Sequence, residues 1–92
     1  MQVVQTSSFA KALRRLHANQ KQDLDEAIRA IMADPLLGEA KVGDLAGISV
    51  YKFRMSNQMT LLAYTYNDGT ITLTLFAFGP HENFYRDLKK QF

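Results

Sequence analysis

ISVYKFRMSNQMTLLAYTYNDGTITLTLFAF, residues 48–78, decides the fold. Over 48–55 the residues alternate, so Tyr51, Phe53 and Met55 share one face of a strand while Lys52 and Arg54 share the other. A turn at Ser56, Asn57 and Gln58 leads into a second strand over 59–66 (MTLLAYTY). Asn67-Asp68-Gly69 is a strong hairpin signal, and residues 70–78 (TITLTLFAF) return as a third strand. Strands joined by such short turns predict an antiparallel sheet.

Upstream the period changes. Residues 2–6 (QVVQT) are short and β-branched and predict an opening strand. Ser7 and Ser8 offer an N-cap hydroxyl, and Phe9, Leu13 and Leu16 recur down one helical face. Asn19 is expected to break this helix, leaving His17 at its C-terminal end, where the dipole favours an imidazolium. A second helix is predicted over 20–33, with Leu24, Ala27, Ile28, Ile31 and Met32 on its apolar stripe and Pro35 stopping it. Two amphipathic helices so closely joined form a hairpin whose shared face needs a sheet to cover it. Residues 35–47 (PLLGEAKVGDLAG) show no period and read as a loop anchored by Leu36, Leu37, Val42 and Leu45. Gly79-Pro80 ends the last strand, and 81–92 (HENFYRDLKKQF) read as a final helix. The expected architecture is one α+β domain, residues 1–92, in the order β-α-α-β-β-β-α, with an antiparallel sheet packed on the helical hairpin.

Composition narrows the function classes. The 92 residues include no cysteine and two histidines, His17 and His81. Disulfides, thiol nucleophiles and cysteine-based metal sites are excluded, and two imidazoles alone are too few for a metal site. No metal and no cofactor are therefore expected. A cysteine-free chain suits a reducing, cytoplasmic setting. The first residues, MQVVQTSSF, lack the layout of a signal peptide, and no apolar run is long enough to span a membrane. Eleven Lys and Arg against nine Asp and Glu give a formal charge of +2. From residue 48 onward Lys52, Arg54, Arg86, Lys89 and Lys90 face only Asp68, Glu82 and Asp87, so the positive excess lies in the second half.

FAKALRRL in the first helix, GDLAGISVYKFRM entering the sheet, LLAYTY in the next strand and FAFGPHENFYRDLKK at the end together resemble the RelE/ParE superfamily of bacterial toxins from type II toxin–antitoxin systems. The stretch GPHENFYRDLKK is similar to the family's "G-x-H/R-x-x-x-Y" ending. The resemblance implies a cognate antitoxin as partner. It also implies one of two activities. The first is a metal-independent, ribosome-dependent mRNA endoribonuclease that inhibits translation; the alternative is a ParE-like, non-enzymatic inhibitor of DNA gyrase.

Metal-free RNA cleavage needs a group to take the 2′-hydroxyl proton, cations to hold the phosphorane charge and an acid for the leaving 5′-oxygen. The resemblance places Lys52 and Arg54 at the phosphate; the bland alternative is a polar strand face turned to water. His81 is the candidate for proton transfer, as the one imidazole of the second half. Tyr85, four residues on, shares a helical face with it and would orient the substrate, or else belong to the core. Arg86, Lys89 and Lys90 are the candidate substrate-binding cations. One position departs from the family: where nucleases carry an Arg or another polar group three residues before the tyrosine that is here Tyr64, this chain has Leu61. Leucine cannot neutralise a phosphorane, and on an otherwise polar face Leu61 is expected to touch the partner.

Overall fold

The computed structural model describes all 92 residues. In chain order the elements are β1 (Gln2–Gln5), α1 (Ser7–Arg14), α2 (Ala18–Ala33), β2 (Glu39–Ala40), a single 3-10 turn (Gly43–Leu45), β3 (Ser49–Met55), β4 (Gln58–Asn67), β5 (Thr72–Gly79) and α3 (Phe84–Lys89). The strands form one sheet in the order β1-β5-β4-β3-β2. The α+β class and the predicted succession of helices and long strands are all present. Two features go beyond the sequence reading. The pair Glu39–Ala40 adds a short antiparallel strand beside β3, and β1 runs parallel to β5, from Gln2 opposite Thr72 to Gln5 opposite Leu75. Most of the chain separates β1 from β5, so no hairpin dictates their relative direction.

The sheet buries both faces. On one, Phe9, Leu24, Ala27 and Ile31 of the helical hairpin pack on Met55, Leu62, Tyr64, Leu73 and Leu75. On the other, Phe84 and Leu88 of α3 pack with Leu45, Ile48, Val50, Leu61 and Ala63. This double cover explains why LLAY in β4 is continuously apolar rather than alternating. Of the stripe assigned to α2, Met32 stays partly exposed.

Local chemistry moves several boundaries. The N-cap of α1 is Thr6 rather than Ser7 or Ser8. Its Oγ1 accepts a hydrogen bond from the Phe9 N–H at 3.2 Å and donates to the Phe76 carbonyl at 3.1 Å. That carbonyl is free because β5 bulges there: Ala63 lies opposite Ala77 but Tyr64 lies opposite Leu75, leaving Phe76 without a cross-strand partner. Thr6→Ala removes both bonds, so it should lower the unfolding free energy by about 1–2 kcal/mol in urea titration, with Thr6→Ser recovering most of it.

The break between the first two helices falls at residues 15–17, not at Asn19. His17 is the N-cap of α2, with its N–H donating to Gln20 Oε1 at 2.9 Å, so it sits at a helix start rather than at a helix end. Asn19 lies inside α2 and donates to Ser56 Oγ at 2.9 Å. In the 35–47 segment only Leu45 anchors: Leu36 and Val42 are 88% and 86% exposed, and Leu37 is exposed too.

The tightest hairpin lies at Ser56-Asn57. Both have positive φ (51° and 68°), and Met55 pairs with Gln58 across a two-residue turn. Thr70 and Ile71, expected in the strand, belong instead to the β4–β5 turn, where the Thr70 N–H donates to Asn67 Oδ1 at 3.1 Å. The last helix is shorter than predicted. Asn83 adopts φ 64°, and regular helix begins only at Phe84, so His81 precedes it in a turn. No helix is long and apolar enough to cross a membrane.

Candidate functional site

The pleat of β3 alternates as the sequence requires. Lys52 and Arg54 are exposed and point to the α3 side of the sheet, on the face that buries Val50. Two residues along a strand separate their Cα atoms by about 7 Å. The Arg54 Nη1 donates to the Asn57 carbonyl at 3.3 Å, which leans the guanidinium toward the hairpin tip and leaves its other donors open.

Across the sheet Lys52 lies opposite Leu61, and Leu61 opposite Gly79. Three adjacent strands span about 10 Å, so the chain leaves β5 at Gly79 within a long side chain's reach of Lys52. Pro80 and His81 follow at once. The His81 ring is exposed and meets Tyr85 edge-on, with centroids 5.7 Å apart. Their contact was expected from helical spacing, but His81 is outside α3 and the turn through Asn83 brings the rings together instead. Tyr85 is half-buried, and its ring also meets Phe84 edge-on at 5.3 Å, so it packs on the α3 core while keeping part of its ring at the surface.

Two side chains in this neighbourhood escaped the sequence reading. Glu39 lies opposite Val50, which sets it on the same face as Lys52. Lys41, two residues on, pairs with Glu39 and holds its ammonium 5.2 Å from the Tyr85 ring centroid. Lys41 holds the Glu39 carboxyl below the usual carboxylate range, with a smaller pull from Lys52. Reciprocally Glu39, and next the Tyr85 hydroxyl, hold Lys41 above the ordinary lysine value. Contacts thus run from Glu39 through Lys41 and Tyr85 to His81, with Lys52 on the same face of the sheet as Glu39. A hollow of about 230 Å³ lies along it, lined by Lys41, Val42, Asp44, Leu45, Tyr85 and Lys89.

Of the three cations assigned to α3, Lys89 reaches this hollow, where its Nζ is 3.8 Å from Asp44. Arg86 and Lys90 gather round Asp87 instead, at 3.7 and 3.8 Å. No group of three His, Asp or Glu side chains lies close enough to share a metal ion.

Leu61 does not touch solvent. It is 1% exposed, in the core cluster that holds Phe84 and Leu88. The expectation that it forms part of a partner contact is therefore wrong: α3 covers the position, and a leucine there is a structural support of the site's floor.

Tyr64 holds the segment that carries Glu39 and Lys41. Its hydroxyl donates to the Pro35 carbonyl at 2.6 Å and accepts from the Gly38 N–H at 2.9 Å. The approach is so close that a Cβ on Gly38 would lie 2.6 Å from the hydroxyl oxygen, which is why a glycine stands there. Burial raises the Tyr64 hydroxyl above its ordinary value of 10.0. The folded chain therefore binds this proton more tightly than the unfolded one. The stabilisation is complete below about pH 10 and is lost as pH rises through the folded value. Tyr64→Phe should cost about 1–3 kcal/mol at neutral pH and flatten the alkaline fall in urea midpoint above about pH 10; an equally steep fall in the variant would refute the assignment.

The largest hollow, about 620 Å³, lies elsewhere, lined by Met1, Met32, Ala33, Asp34, Pro35, Leu36, Tyr66 and Asp68. Its charged side chains, Asp34 and Asp68, are both carboxylates, so it suits an anionic backbone less well than the face that bears the lysines and Arg54.

Solved structures share this architecture. A free variant of the E. coli toxin RelE aligns with a TM-score of 0.75 at 17% identity, covering 98% of this chain and 95% of its own. A YoeB/ParE toxin from Agrobacterium tumefaciens aligns at 0.73 and 22% identity, over 88% of this chain and 99% of its own. The intact E. coli RelBE toxin–antitoxin complex matches at 0.69 and 15% identity, over 86% of this chain and 94% of that one. At these identities the likeness establishes the fold. No curated protein sequence matches the chain. The sequence pattern of the ParE-like toxin of type II bacterial toxin–antitoxin systems matches residues 3–89, nearly the whole length, and the chain belongs to that family, as a type II toxin of the RelE/ParE superfamily.

Proposed function

We infer that this toxin is a metal-independent, ribosome-dependent mRNA endoribonuclease that inhibits translation in the cytoplasm. The observation that supports the reading is the exposure of Lys52 and Arg54 on the α3 side of the sheet, with an exposed His81 held against Tyr85 of α3. In cleavage the 2′-oxygen bonds to phosphorus, the phosphorus–O5′ bond breaks, and one proton passes from the 2′-hydroxyl to the leaving oxygen by way of the site. Lys52 and Arg54 hold the phosphorane charge, Arg54 as a bidentate fork and Lys52 as a compact point charge. His81 handles the proton. Tyr85 positions the substrate, and Lys89, Arg86 and Lys90 extend the cationic approach for the RNA backbone.

A cognate antitoxin is the expected protein partner, in line with the RelBE complex among the similar structures. One observation favours a second reading, inhibition of DNA gyrase: a leucine at position 61, buried under α3, leaves this site one cation short of the nuclease pattern. Purified protein incubated with translating ribosomes separates the two. Codon-positioned cuts in the mRNA support the nuclease, while intact mRNA with blocked gyrase supercoiling supports the inhibitor.

A further inference from the structure

We propose that Lys41, with Lys52 and Tyr85, forms a phosphate seat that supplies the cation Leu61 lacks, and that the Glu39 carboxylate occupies this seat in the free protein until an RNA phosphate displaces it. The proposal rests on the reading that this face receives RNA. Three observations carry it. The short β2 pairing fixes Glu39 beside Val50 on the Lys52 face, and the Lys41 N–H donates to the Ile48 carbonyl at 2.8 Å, which fixes the backbone from which the lysine reaches inward. The Lys41 side chain is 22% exposed whereas that of Glu39 is 74% exposed, so the cation is held in place and the anion is free to swing out. Lys41 lines a hollow open to solvent together with Lys89, and at 22% against 52% exposure it is the more firmly held of the two cations there.

A carboxylate presents two oxygens sharing one negative charge, and a phosphodiester presents two non-bridging oxygens sharing the same charge. The one is a fair internal stand-in for the other. An exposed ion pair is worth little, so a phosphate that meets Lys41 and Lys52 together and brings its neighbours onto Arg54 replaces the carboxylate readily. The Tyr85 ring, beneath the Lys41 ammonium and against His81, keeps the seat next to the proton-transfer group.

The test uses a fluorescent single-stranded 2′-O-methyl RNA, which offers phosphates but no attacking hydroxyl, so binding is read without cleavage. Lys41→Gln should weaken binding about tenfold and flatten the log–log salt dependence by roughly 0.7, one phosphate contact. Glu39→Gln should tighten binding several-fold. Lys21→Gln on the exposed face of α2 and Asp68→Asn in the β4–β5 turn carry the same charge changes away from the site, correct for net charge and should move affinity less than about twofold. Circular dichroism confirms that each variant is folded. Equal effects of Lys41→Gln and Lys21→Gln, or no tightening by Glu39→Gln beyond that of Asp68→Asn, would overturn the seat. Normal mRNA cleavage by Lys41→Gln on ribosomes would likewise overturn it while leaving the nuclease reading intact. Absence of cleavage by the unaltered toxin, with the binding pattern as expected, would overturn the nuclease reading alone.

Discussion

Arg54→Ala should lower ribosome-dependent mRNA cleavage by about 100–1,000-fold, the usual loss when one charge-stabilising donor is removed from a transition state. His81→Ala should lower it by a similar or larger factor, since positioned proton transfer contributes about 100–10,000-fold. The fold should be indifferent to either change. Arg54 makes one hydrogen bond, to the Asn57 carbonyl, and His81 is exposed with one aromatic neighbour, so thermal stability should stay within about 0.5 kcal/mol of the parent. Mapping mRNA 5′ ends after incubation with ribosomes, with melting curves in parallel, reads both quantities. Cleavage that survives both substitutions would remove these two side chains from the mechanism.

Leu61→Arg restores the cation that the nuclease pattern carries at this position, and it should give a protein that is less stable and no more active. Leu61 is 1% exposed in the core of the α3 side. A guanidinium there would be buried without a counter-ion, because its cross-strand neighbours are Lys52 and Gly79. The loss should exceed the roughly 2–5 kcal/mol expected for Leu61→Ala, which only leaves a cavity. Against a typical total of about 5–15 kcal/mol, either change is severe. For a domain of this size each kcal/mol moves the melting temperature by about 4–8 °C, so a scan suffices. A stable Leu61→Arg protein with faster cleavage would mean that α3 yields and that the missing cation, rather than the packing, limits this toxin.

These two positions mark what the sequence makes legible. Lys52 and Arg54 could be placed on one strand face because a seven-residue strand shows its period plainly, and Phe9 with Leu24 could be placed against the sheet for the same reason. Leu61 was misread because periodicity cannot tell that a second helix covers the other face of β4. Glu39 and Lys41 were missed for a different cause: β2 is two residues long, too short for any period, and its position depends on the Tyr64 hydroxyl, twenty-six residues away in sequence from Gly38. The contact of His81 with Tyr85 was foreseen on the wrong grounds. A left-handed Asn83 makes it, and asparagine's tolerance of that conformation is the signal that was available.

The two faces of the sheet are covered unequally, and this has a consequence for how the toxin wears out. The helical hairpin brings four buried side chains to its layer, whereas α3 is six residues long and brings two, Phe84 and Leu88. Amide hydrogens of α3 should therefore exchange with deuterium sooner than those of β4, as a separate small opening unit. Warming should silence the protein several degrees before its far-ultraviolet spectrum changes, and cooling should bring the lost potency back.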